Sequence, residues 1–317
     1  MKMRKQYRKR AVSVAAILFI SFILVPIQVM GTETDSTNAA NMITTYTLLF
    51  DKIQQEVLEK SPDVADNMET FLDSDTGLQA QYTRDKANYS VVWEVQSYFF
   101  QYNGLQKQLN SGHAQLPILE NQYNLTKIKA SYGVATEQDV LTAEKSLTDL
   151  KNNLTSYQKE MDDILKQVRY QLALKSDVKI IVDSVPYENI DFANIEYDQD
   201  LPNAMGNSYD IGLADWSGDS TKLSKTVIEF KSSFQTAYGN LKTAVEKVEY
   251  NDHYATIDQK TFKLAEIKYK YGSITKQEYL TEEYNYINAQ ISNDQDKNDL
   301  YKAYVKYEWA KKGLIVN

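Results

Sequence analysis

The chain contains no cysteine, only two histidines and only five prolines in 317 residues. Without cysteine there is no disulfide framework, and no lipid-bearing cysteine can follow a signal peptide. The histidines, His113 and His253, give no ligand pair with metal spacing. The sequence holds no glycine-rich phosphate loop and no nucleophile elbow. Carboxylates are plentiful but read as the solvated faces of acidic helices. No enzyme, cofactor or metal centre is expected. A basic surface is also missing, since the formal net charge is −8. That argues against nucleic acid, which is held through Lys and Arg. Past the N-terminus, no segment is apolar enough to cross a bilayer as a helix.

The N-terminus is of a different character. Lys2, Arg4, Lys5, Arg8, Lys9 and Arg10 precede an apolar run from Ala11 to Val25 that ends at Pro26. Val29 and Gly31 suit the −3 and −1 sites of a cleavage, so residues 1–31 read as a secretory signal peptide. A retained membrane anchor is the alternative, although the run falls short of the ~20 residues a span needs. Residues 32–41 are polar and small and read as a disordered leader. Cleavage would leave 29 basic against 43 acidic groups.

What the chain does have is a repeat. Tyr132-Gly133-Val134-Ala135-Thr136-Glu137-Gln138-Asp139-Val140-Leu141 returns as Tyr271-Gly272-Ser273-Ile274-Thr275-Lys276-Gln277-Glu278-Tyr279-Leu280, at an offset of 139. From Leu125 to Glu144, 10 of 20 positions are identical to their counterparts. A long fixed offset that keeps glycine and cap residues marks a duplicated structural unit. His113 and His253 fall near equivalent positions, which suggests ancestry and nothing more.

Each copy of the motif reads as helix, tight turn, helix. Gly133 and Gly272 follow a long helical pattern and can take the positive φ that ends a helix. Thr136 with Asp139, and Thr275 with Glu278, read as capping boxes that start the next helix. An ordinary αα-hairpin turn is the plain interpretation of one copy alone.

The flanking segments are long and patterned in sevens. Val140, Leu147, Leu154, Met161 and Val168 form one row, and Ala143, Leu150, Tyr157 and Ile164 a second. Tyr102, Leu109, Leu116, Tyr123 and Ala130 precede the first turn at the same interval. The second copy carries Phe230, Ala237, Ala244, Asn251, Asp258 and Ala265 with Phe234, Leu241, Val248, Ala255, Phe262 and Tyr269, and after its turn the rows weaken. Such rows imply supercoiled, knobs-into-holes packing. Asn293 and Asp296 are polar at seam positions, either to fix register or to face a water-filled lumen. The arms before the turns, about residues 88–132 and 226–271, would each be ~65–70 Å long. Pro117 is expected to kink or break the first arm near Gly112-His113. Arms of this length need lateral partners, within the chain or between chains.

The remaining organisation follows. Residues 42–60 read as a short amphipathic helix ending at Ser61-Pro62-Asp63-Val64, followed by a polar stretch to about Asn88. Val178 to Val182 reads as a short strand, and residues 185–219 as a loop-rich joint. Within the joint, Asp200 to Ile211 reads as the counterpart of the helix before Ser61. The units are thus a first repeat over 42–186 and a second over 187–317. The fold class is all-α, built of duplicated long antiparallel coiled-coil hairpins.

The paired turn, Tyr-Gly-x-x-Thr-x-Gln-[Asp/Glu]-x-Leu, between long helices behind a signal peptide resembles the TolC-like outer membrane efflux protein family. The segments Ser61-Pro62-Asp63-Val64 and Asn207-Ser208-Tyr209-Asp210-Ile211 are similar to the ends of that family's first helix in each half. The resemblance covers nearly all of the mature chain. It implies a trimeric helical tunnel whose turns form the entrance. There they would meet the hairpin tips of a membrane fusion (adaptor) protein, with an inner-membrane ABC or proton-driven exporter behind it. Gly133, Val134, Ala135, Thr136 and Asp139, with Gly272, Ser273, Ile274, Thr275 and Glu278, would then be the partner-contacting residues. The cargo would be small molecules or peptides.

One departure stands out. The family inserts a pair of membrane strands in each half, and a membrane strand needs ~9–11 residues. Residues 62–88 are too few for a helix and two strands, and residues 210–226 are fewer still. The barrel is therefore expected to be missing or vestigial. The alternative to an efflux role is a structural coiled-coil protein of the cell envelope.

Overall fold

A computed structural model describes residues 44–316, apart from 75, 76, 191, 193 and 194. The expected signal peptide and leader lie outside these residues. The elements run β1 (Thr45–Leu48), α1 (Phe50–Lys60), α2 (Pro62–Leu72), α3 (Leu78–Ser131), α4 (Glu137–Gln171) and β2 (Lys179–Val182). They continue, after a 3-10 turn at Tyr187–Asn189, with α5 (Tyr197–Asn207), α6 (Tyr209–Trp216), α7 (Ser220–Lys270) and α8 (Lys276–Lys311). The long helices pack in the order α4, α3, α8, α7, which leaves α4 and α7 as the two edges.

The arms are longer than the heptads alone suggest. α3 has 54 residues and α7 has 51, or about 80 Å and 75 Å at 1.5 Å per residue. α3 runs through Pro117 without a break. Pro117 and His113 both lie on the exposed side, so the His113 carbonyl that loses its helical donor faces water rather than the core. At Gly112 an added Cβ would stand 2.5 Å from Leu154 Cδ2 on α4, so glycine lets the two helices close on each other there.

The polar stretch after Ser61 is helical. Ser61 caps α2 by accepting a hydrogen bond from the Val64 amide at 3.4 Å, with Pro62 at the first helical position. Ser208 accepts from the Ile211 amide at 3.3 Å and starts α6 in the same way. The joint read as loop-rich therefore contains two helices, α5 and α6, related to each other as α1 is to α2. The expectation for residues 42–60 is corrected at its start. Thr45 to Leu48 is a strand, and the helix begins at Phe50. Its parallel partner is β2, in register Thr45↔Lys179 to Leu48↔Val182. The strand thus depends on a segment more than 130 positions away, which local pattern cannot reveal.

The main core lies in the half of the molecule away from the turns, where the short helices pack on the long ones. Phe50 meets Phe99, Phe100 and Tyr301 with ring centroids 5.1–5.4 Å apart. Tyr307 is fully buried, 5.3 Å from Phe234, and its hydroxyl donates to Asp200 at 2.8 Å. Burial raises the Tyr307 phenol far above its ordinary range, and the Asp200 carboxylate adds to the effect. Trp309 Nε1 donates to buried Gln96 Oε1 at 2.7 Å, tying the last helix to α3. Toward the turns the molecule thins to the coiled-coil seams, where Ala143, Leu147, Leu154 and Met161 are buried.

The polar seam residues both pair across the α7–α8 seam. Asp296 is 2% exposed, accepts a hydrogen bond from Asn251 and pairs with Lys247 Nζ at 2.6 Å across the α7–α8 seam. Asn293 donates to Asp252 at 2.9 Å across the same seam. Among the described residues the strands are β1 and β2 alone, and neither belongs to a barrel. Five positions separate α2 from α3 and three separate α6 from α7. Both are too few for a membrane strand.

Candidate functional site: the paired hairpin turns

Both turns are built by the same hydrogen bonds. α3 ends at Ser131, and Gly133 takes φ 71°. The Gly133 amide donates to Ala130 O at 3.0 Å and the Val134 amide to Lys129 O at 2.8 Å. This pair of bonds is a Schellman motif and satisfies two of the last carbonyls. Gly272, at φ 69°, repeats it with bonds of 3.0 Å to Tyr269 O and, from Ser273, 2.8 Å to Lys268 O. A Cβ added at either glycine would meet no heavy atom within 4 Å, so conformation alone selects glycine.

The caps that follow are reciprocal. The Asp139 amide donates to Thr136 Oγ1 at 3.1 Å, and the Thr136 amide donates to Asp139 Oδ2 at 2.8 Å. In the second turn the Glu278 amide donates to Thr275 Oγ1 at 3.2 Å, and the Thr275 amide to Glu278 Oε2 at 2.7 Å. The Thr136 amide, and then its hydroxyl, hold the Asp139 carboxyl below the ordinary carboxylate range. Thr275 does the same to Glu278. Asp139 and Glu278 therefore have a folding role in the two turns.

The tip residues divide by exposure. Val134 is 75% exposed, and Ser273, its counterpart, is exposed as well. Ala135 and Ile274 are half-buried. Tyr132 and Tyr271, at 80% and 76%, are the most exposed large side chains at the tips. Gly133, Gly272, Thr136, Thr275, Asp139 and Glu278 shape the turns, while Val134, Ser273 and the two tyrosines form their outer surface.

Both turns lie at one end of the molecule. Asn121 Nδ2 on α3 donates to Gln277 Oε1 on α8 at 2.6 Å, and Ser111 Oγ donates to Asn288 Oδ1 at 2.7 Å. Asn121 is twelve positions before Gly133, but Gln277 is only five after Gly272. The first turn therefore projects about 10 Å beyond the second at 1.5 Å per residue. Sequence reading missed this tie. Gln277 was visible as a repeated letter of the motif, but its partner lies in the other hairpin. Among the described residues no cluster of His and carboxylates could hold a metal, and no helix is long and apolar enough to cross a membrane.

No protein-family model matches the sequence, and no curated protein is similar to it in sequence. Solved structures are similar in fold. CusC, a protein that forms a transmembrane channel, aligns at a TM-score of 0.55 and 11% identity, over 84% of this chain and 96% of that one. The outer-membrane channel OprN aligns at 0.53 and 12%, over 83% and 89%. The outer membrane protein VceC of Vibrio cholerae aligns at 0.51 and 10%, over 80% and 95%. The chain thus has the TolC-like helical channel fold and, among its described residues, no barrel-forming strands.

Proposed function

We propose that the protein is an exported component of an efflux or secretion assembly, built as a ring of copies whose turn end receives an adaptor. The observation that carries the reading is a mismatch in burial between Ile118 and Ile257, equivalent positions of the two repeats. Within one chain, α3 seats on α8 through Ser111–Asn288 and Asn121–Gln277. Ile118, on the same stretch of α3, is 9% exposed. The offset of 139 maps Ser111, Ile118, Asn121 and Leu125 onto Tyr250, Ile257, Lys260 and Leu264 of α7. Ile257 is 50% exposed, and Tyr250, Ile257 and Leu264 form an uncovered seven-residue row on this edge helix.

The same offset maps Gln277 and Asn288 onto Gln138 and Asp149 of α4, the opposite edge. An α7 edge that meets the α4 edge of a neighbour repeats the internal α3–α8 contact between chains. Such a contact is heterologous, and it closes into a ring when the rotation permits. Three copies would make the trimeric tunnel that the family resemblance implies. The cell envelope is the corresponding location, and small molecules or peptides the corresponding cargo.

The turn end is then the entrance, and the outer tip surface is where a membrane fusion (adaptor) protein would dock, with an ABC or proton-driven exporter beyond it. Val134→Glu with Ser273→Glu leaves both Schellman motifs and both capping boxes in place. The expected outcome is an unchanged helical circular dichroism signal and melting temperature, with weaker adaptor binding and weaker export in a strain that depends on the gene. Full export with full adaptor binding would remove the entrance role and favour a structural coiled-coil protein of the envelope.

A further inference from the structure

The end opposite the turns is capped by the two short connections, and its surface is not what an ordinary solvated helix end presents. α2 and α6 both run antiparallel to the start of α3, on different sides of it. Asn67 donates to Asn88 at 3.0 Å, and Arg84 lies over the Phe71 ring at 4.4 Å. On the other side Tyr82 meets Tyr209 edge-on at 5.9 Å, Lys86 pairs with Asp210, and an added Cβ on Gly212 would stand 2.3 Å from the Tyr82 ring. These contacts bring the last turns of α2 and α6 to the level of the first turns of α3. The residues left facing outward there are Met68, Leu72, Leu78 and Trp216, at 42, 66, 50 and 60% exposed. Of the three tryptophans, Trp93 and Trp309 are buried and Trp216 is the exposed one.

The frame around these apolar residues is acidic. Asp66, Glu69 and Asp73 lie on the α2 side, and Asp215 and Asp219 on the α6 side, all exposed. Of the nearby cations, Arg84 is held by Asp85 at 2.6 Å and Lys86 by Asp210, and Lys222 is exposed in the first turn of α7, so the five carboxylates outnumber the cations there. A second copy would bring the same sign of charge to the contact, and an anionic lipid surface would be repelled. Apolar anchors inside a negative rim suit a segment with apolar residues on one side and Lys or Arg around them.

We propose that this end is a docking surface for a basic amphipathic segment of another protein. Such docking is independent of the conduit reading, because it uses only the geometry of this end. Trp216 supplies the readout. The chain without residues 1–31 is titrated with a synthetic Leu/Lys amphipathic helix, a Leu/Glu helix of the same pattern, and vesicles of zwitterionic or anionic lipid. The expected result is a blue shift and acrylamide protection of Trp216 with the Leu/Lys helix alone, weakening as salt rises. Leu72→Ser with Leu78→Ser should lower the affinity about tenfold or more. Asp73→Asn with Asp215→Asn should flatten the salt dependence while leaving the anchors in place. Equal binding of both helices, or unchanged affinity in both variants, overturns the proposal. A shift seen only with vesicles, or with rising protein concentration alone, overturns it in favour of a membrane or a second copy.

Discussion

Replacing Lys247 should damage the second hairpin more than replacing the carboxylate it pairs with. Asp296 is 2% exposed at the α7–α8 seam, whereas the Lys247 side chain is 59% exposed at its edge. Lys247→Met removes the cation and leaves a buried carboxylate with Asn251 as its remaining donor. Breaking a fully buried pair in this way costs about 3–5 kcal/mol. The Lys247 head already shares its charge with water, so a loss of about 2–3 kcal/mol is expected instead. For a chain of this size that is roughly a 3–5 °C fall in melting temperature. Asp296→Leu removes the buried charge itself and frees Lys247 and the half-buried Asn251 amide to water. Its cost should stay within about 1 kcal/mol. The assay is thermal and urea unfolding followed by helical circular dichroism, for both variants and the parent protein. If Asp296→Leu is the more damaging change, or if neither moves the transition, the carboxylate is not held as the structure implies.

Two further outcomes concern the turns. Gly133→Ala and Gly272→Ala should each cost about 1 kcal/mol from the positive φ alone, with Asn costing less, as read by urea unfolding. Because the folded-state pKa of Asp139 and of Glu278 is lowered, their capping contribution is complete above the ordinary carboxylate range. It is lost as pH falls through the lowered values. Amide protection at Thr136 and Thr275 should follow that loss, and Asp139→Asn should remove the pH dependence at Thr136.

The parts of the fold that were legible in sequence are those fixed by local chemistry. The turns were visible because glycine at positive φ and a Thr-x-x-Asp or Thr-x-x-Glu cap each leave a letter at a fixed spacing. The first hairpin's seam was visible because Leu147, Leu154 and Met161 repeat every seven residues and are all buried. β1 was not visible, because four residues gain strand structure only from β2, far along the chain. The continuity of α3 through Pro117 was also hidden, since it depends on which side of the helix meets water. Within the candidate site, spacing gave the caps correctly but could not separate Val134, which is exposed, from Ile274, which is half-buried. The 10 Å stagger of the two turns follows from a side-chain pair between hairpins, and no local pattern encodes it.

The ring can be tested through the cysteine-free background of the chain. The Asn121–Gln277 bond inside one chain corresponds, by the repeat, to Lys260 and Gln138 facing each other across two chains. The measurement is mild oxidation of a Lys260→Cys with Gln138→Cys variant, followed by mass analysis under denaturing conditions. A heterologous ring predicts a ladder of covalent multimers that ends at one closed species, with no cross-linking in either single variant. Absence of any intermolecular disulfide, or dimers formed as readily by one single-cysteine variant alone, would contradict the ring.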